Sequence, residues 1–139
     1  MGVAIGIDYV GELHCAVTHG PSSRTFTTDA PTDNGGKGEA FSPTDLVAAA
    51  LGSCITTVMA LVADRHGLDL DGTRVEVLKE MTSVPRRRIG ALAVTVTFPA
   101  ACELSPEDRA RLERTADTCP VRQSLHPDID VAMRFVYPG

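Results

Sequence analysis

Two cysteines stand in settings that suit chemistry. Cys54 lies in "LGSCITT", with Gly52 and Ser53 before it and Thr56 and Thr57 after it. Cys119 lies in "TCPVRQSL", directly ahead of Pro120. A thiolate is a nucleophile, and its sulfenic acid is reversible because a second thiol can condense with it to a disulfide. Small residues around Cys54 permit close approach of another backbone or leave room for a substrate. If Pro120 opens a short helix, Cys119 is its N-cap, where the helix dipole favours a thiolate. A redox pair, two inert buried thiols and a static disulfide all fit these residues. Cys15 alternates with Leu13 and Val17 and reads as a core thiol, and Cys102, after "PAA", as an incidental loop or core thiol.

Other chemistries find less support. There is no C-x-x-C, and His14, His19, His66 and His126 have no ligand spacing to the cysteines, so neither a metal nor a cofactor is expected. "LGSCI" lacks the second glycine of a nucleophile elbow around Ser53. "NGGKG" resembles a phosphate loop in composition only, because no strand-to-helix turn surrounds it. The net charge of −5 argues against nucleic acid or an anionic membrane as partner. Arg86-Arg87-Arg88 is the local exception and reads as a solvated loop. The apolar part of residues 46–63 is broken by Gly, Ser, Cys and Thr and ends in Asp64-Arg65-His66, as a core helix does rather than a membrane span. No basic segment followed by an apolar one opens the chain, which reads as cytoplasmic with reduced cysteines.

These residues must be positioned by secondary structure. Residues 3–10, 12–18 and 24–28 carry alternating or β-rich patterns and predict three strands. Residues 29–40 are a loop with three glycines. A long helix then opens with Ser42 as N-cap, Pro43 in the first turn and Asp45 three residues past the cap, and stops at Gly67. It is apolar or small on nearly every face, so it needs a large core or a second subunit around it. Two clean strands follow at 73–81 and 89–98, read as an antiparallel pair. A half-exposed helix starts at Ser105-Pro106 and is interrupted at Pro120, "VRQSL" suits one more turn, and residues 129–137 close the chain as a strand. The order β-β-β-α-β-β-α-β indicates an α+β fold, mainly antiparallel, in a single domain over residues 1–139.

The glycine pair followed by "SPTDLVAAALGSC", with "TCPVRQSL" near the end, resembles the OsmC/Ohr family of thiol-dependent peroxidases over roughly residues 10–137. The resemblance implies an intertwined homodimer with the long helices at its centre. It implies Cys54 as peroxidatic nucleophile and Cys119 as resolving cysteine, acting on organic hydroperoxides and reset by a dithiol reductant such as a lipoyl protein or thioredoxin. Two positions depart from the peroxidase branch. The acidic residue expected directly after the helix-opening proline is replaced by Thr44, with Asp45 one place later, and "YVGELHCAV" lacks the activating arginine of the β1–β2 region. A cation must come from elsewhere: Arg24 is nearest in chain order, with Arg86, Arg87 or Arg88 of a partner chain as alternatives. The departures leave open a non-catalytic apolar-ligand binder or a redox sensor on the same scaffold.

Overall fold

The computed structural model describes all 139 residues. The chain divides into two compact units, Met1–Val47 and Ala48–Gly139.

The first unit is built on β1 (Ile5–Gly11), β2 (His14–His19) and β3 (Thr25–Asp29), an antiparallel meander in that order. The register sets His14 opposite Asp29 and Cys15 opposite Thr28. The loop after β3 holds one turn of 3-10 helix at Thr32–Asn34 and then folds back on the strand end, where the Asp29 amide donates to Phe41 O at 3.1 Å. Gly36 is fixed by this fold-back. A Cβ there would stand 1.7 Å from the Ala30 carbonyl oxygen, so only a residue without a side chain fits.

The helix α1 (Pro43–Arg65) starts in the first unit and runs through the second. Its start is a reciprocal capping box: the Asp45 amide donates to Ser42 Oγ at 3.1 Å, and the Ser42 amide to Asp45 Oδ2 at 2.9 Å. Its end is a Schellman motif. Leu68 N–H reaches back to Ala63 O at 2.9 Å and Gly67 N–H to Asp64 O at 3.3 Å, with Gly67 left-handed at φ 67°. Both ends therefore follow from the residues singled out in the sequence.

The second unit adds β4 (Arg74–Thr82), β5 (Arg88–Thr97), α2 (Pro106–Ala116), α3 (Pro120–Ser124) and β6 (Asp130–Val136), with sheet order β4-β5-β6. β4 and β5 are antiparallel across the arginine-bearing loop, as expected. β5 and β6 are parallel, which alternation in the sequence cannot reveal. A parallel pair needs a crossover, and α2 with α3 supplies it. Ser105 caps α2 by accepting from the Asp108 amide at 3.1 Å. Pro120 does not interrupt α2: the helix ends earlier, at Ala116, and Pro120 begins α3 as a separate element.

The core lies in the second unit. Leu51, Ile55, Met59 and Ala63 of α1 bury completely, as do Leu92 and Val96 of β5 and Leu112 and Ala116 of α2. Each large apolar side chain so buried contributes about 1.5–3 kcal/mol. By length and apolarity α1 passes the test for a membrane-spanning helix, a test that core helices also pass. One face is buried at three- and four-residue spacing, whereas Ala49, Ala50, Ser53, Thr57 and Leu61 are exposed in the single chain.

Candidate active site

Cys54 sits on α1 because of its neighbour two residues earlier. Gly52 is buried, and a Cβ on it would lie 2.9 Å from Val77 Cγ2 and 3.4 Å from Val75 Cγ1 of β4. The missing side chain lets the helix press onto the sheet at this point and fixes the depth of the next turn. The hydroxyls around the thiol bond back to the helix: Thr56 Oγ1 donates to Gly52 O at 2.7 Å and Thr57 Oγ1 to Ser53 O at 2.8 Å. Both hydroxyls are thereby engaged with backbone carbonyls. Cys54 is half-buried and free.

Cys119 is fully buried and free, and is the N-cap of α3. Its Sγ accepts the Arg122 amide at 3.3 Å. The cap position predicted from Pro120 is therefore real, but the expected thiolate is not. Burial pushes the Cys119 thiol above its ordinary 9.0, and contact with the Cys54 side chain adds to this. The Arg122 and Val121 amides pull the other way without prevailing. A five-residue helix supplies too weak a dipole to offset desolvation.

The two thiols, far apart in sequence, lie beside one another in the fold. The tertiary fold thus brings together the cysteines of the two motifs and keeps both reduced.

Asp45, a candidate catalytic residue in the sequence, is engaged in capping α1. Arg24, the candidate activator, is exposed just ahead of β3. Its amide donates to Ser22 Oγ at 3.3 Å and its carbonyl accepts from the His19 amide at 2.8 Å. The arginine run lies where the sequence puts it, with Arg86 and Arg87 in the β4–β5 loop and Arg88 opening β5. Arg122 was missed. It lies one turn from Cys119, and its Nε is buried without a hydrogen bond, 3.9 Å from Asp117 Oδ1. The signal was its place in "CPVRQ", three residues after a capping cysteine. Cys15 is half-buried on β2, and Cys102 is buried with its thiol pushed up by desolvation and then by Asp69, as an inert core thiol should be.

The chain is thus α+β, with one thiol on the long helix α1 and its neighbour at the cap of α3 in the β5–β6 crossover. The model of the OsmC-like protein family matches residues 36–134, and the chain belongs to that family. No curated protein sequence matches it. Among solved structures it is similar to one from Psychrobacter arcticus 273-4, provisionally named an osmotic stress induced and detoxification response protein, at 40% identity over 97% of both chains with TM-score 0.89. It shares its fold with the organic hydroperoxide resistance protein OsmC of Legionella pneumophila, at 17% identity over 98% of this chain and 97% of that one, TM-score 0.78. The organic hydroperoxide resistance protein OhrB of Bacillus subtilis has the same fold, at 18% identity over 97% and 98% of the two chains, TM-score 0.70.

Proposed function

We propose that the protein is a cysteine-based peroxidase that reduces organic hydroperoxides in an oxidative-stress response. The observation that carries this reading is the direct contact between the Cys54 and Cys119 thiols. Membership of a family whose solved members include organic hydroperoxide resistance proteins supports it.

The Cys54 thiolate attacks the terminal oxygen of the hydroperoxide. The O–O bond breaks, the alkoxide takes a proton and leaves as an alcohol, and sulfur is oxidised to the sulfenic acid. Cys119 then attacks that sulfur, the S–S bond forms, and water leaves. A dithiol reductant, a lipoyl protein or thioredoxin-like partner, takes the pair back to two thiols and becomes a disulfide itself. Cys54 is the half-buried member that a substrate can reach, whereas Cys119 is sealed beside it, where it meets the oxidised sulfur rather than the substrate and attacks after giving up its proton. Two arginines are candidates to favour the thiolate: Arg24 by chain order, and Arg122 by its place one turn from Cys119.

The protein acts in the cytoplasm as a homodimer. Ile5, Ile7 and Tyr9 on β1 are each more than half exposed in the single chain, as is Leu61 on α1, which leaves apolar side chains for a second subunit to cover. The second reading, a non-catalytic apolar-ligand binder or redox sensor, is favoured by Thr44 and by the lack of an arginine in "YVGELHCAV".

The deciding experiment is hydroperoxide consumption with a dithiol donor. Wild type turns over cumene hydroperoxide, Cys54→Ser does not, and Cys119→Ser is inactivated by over-oxidation of Cys54. Equal rates in wild type and both variants would refute the peroxidase, and a slow reversible disulfide without turnover would establish the sensor.

A further inference from the structure

A second cluster with ligand chemistry lies in the first unit, within residues of "ELHCAV" and "TDAPTDNGGKGEAF". His14 and Asp29 are directly opposed across β2 and β3. Asp29 is 1% exposed, and its carboxylate is held by the loop that folds over it: Oδ2 accepts the Lys37 amide at 3.2 Å and the Glu39 amide at 3.1 Å. Its other oxygen, Oδ1, is buried with no hydrogen-bond partner. An unpaired buried carboxylate oxygen costs enough that a cation or donor is expected against it.

The imidazole sharpens the point. His14 Nδ1 lies 2.7 Å from the carbonyl oxygen of Glu12. A carbonyl can only accept, so Nδ1 carries the proton. In the neutral ring Nε2 is then a bare lone pair, and it faces Asp29 Oδ2 at 3.5 Å. Two acceptors pointing at one another call for positive charge between them, either a second proton on the ring or a metal ion. The Nδ1–H···O=C arrangement is also how proteins orient a histidine that binds metal through Nε2. Glu39 completes the set: one ligand atom each from His14, Asp29 and Glu39 lie within 4.8 Å of one another.

We propose that His14 Nε2, an Asp29 carboxylate oxygen and a Glu39 carboxylate oxygen form a binding site for a divalent first-row cation, separate from the thiol pair in its ligands. Metal–ligand bonds of about 2.1 Å place donors roughly 3–4 Å apart, which the His14–Asp29 separation of 3.5 Å already meets. Glu39 has a 57% exposed side chain and only a 3.8 Å ion pair to Lys37, so it swings inward without disturbing the core. One imidazole and two carboxylates suit Mn²⁺ as well as Zn²⁺. The search for His spacing to cysteine missed the cluster because its other ligands are carboxylates and it forms only when β2 pairs with β3.

Mn²⁺ is the probe, because thiols compete for Zn²⁺ and much less for Mn²⁺. The full-length wild-type protein should bind one equivalent of Mn²⁺ per chain, read as loss of the free-ion electron paramagnetic resonance signal, with shifts in the Lys37 and Glu39 amide NMR resonances. His14→Asn and Glu39→Gln should each weaken binding at least tenfold, while Cys54→Ser binds as wild type. Glu39 is exposed, so Glu39→Gln stays folded even if a change at His14 does not. No binding by wild type, or unchanged affinity in Glu39→Gln, overturns the proposal.

Discussion

Cys54 lies beside Cys119, and one is half-buried while the other is sealed. The asymmetry assigns different work to two chemically identical groups. Chemical oxidation should therefore be selective. One equivalent of cumene hydroperoxide should remove two of the four titratable thiols, and peptide mapping of non-reduced protein should join Cys54 to Cys119 and leave Cys15 and Cys102 free.

The cation assignment separates by mutation. A nearby cation favours a thiolate, so Arg122→Ala should slow the first oxidation several-fold. Stopped-flow measurement of sulfenic acid formation checks this, with Arg24→Ala in parallel. A fall only in Arg24→Ala restores the order-based assignment.

Helix capping gives a stability prediction free of the redox question. Removing one side chain from the Ser42–Asp45 box costs about 1 kcal/mol. Asp45→Ala and Ser42→Ala should each lower stability by that amount in urea, and the double variant by about the sum, because each side chain bonds the other residue's backbone amide, which neither substitution removes.

Gly52→Ala tests the close approach beneath the thiol. Its Cβ would come 2.9 Å from Val77 Cγ2, and overpacking of this kind costs about 1–3 kcal/mol. Val77→Ala should recover part of that loss in a double-mutant cycle by thermal unfolding. The thiol shifts when the helix lifts, so oxidation should slow as well.

The pH dependence follows from Cys119 and Cys102. Both thiols titrate above 9.0 in the folded chain, chiefly through burial. The folded state then holds protons that the unfolded chain releases, so stability is intact below the unfolded thiol value and falls as pH rises through it. Urea midpoints should decline above about pH 8.5, and Cys119→Ala should flatten the slope.

Much of this was readable from residues. Ser42, Pro43, Asp45 and Gly67 mark α1 because capping is local chemistry, and the motif around Cys54 led to the right family. Strand direction was not readable: β6 alternates alike whether its neighbour runs with it or against it. The state of Cys119 was misjudged because a cap is visible in sequence, whereas desolvation depends on residues that fold brings from elsewhere. Arg122 and the His14–Asp29–Glu39 cluster were overlooked for the same reason. Their significance lies in a neighbouring sulfur and in a cross-strand register, not in any spacing along the chain.

The parallel pairing of β5 with β6 has a consequence for how the molecule is made. The crossover carrying the second sulfur is anchored at its far end only when residues 130–136 add to the sheet. The first sulfur therefore gains its mate through a strand pairing distant in sequence from both, and closure of that sheet edge and meeting of the thiols are one event.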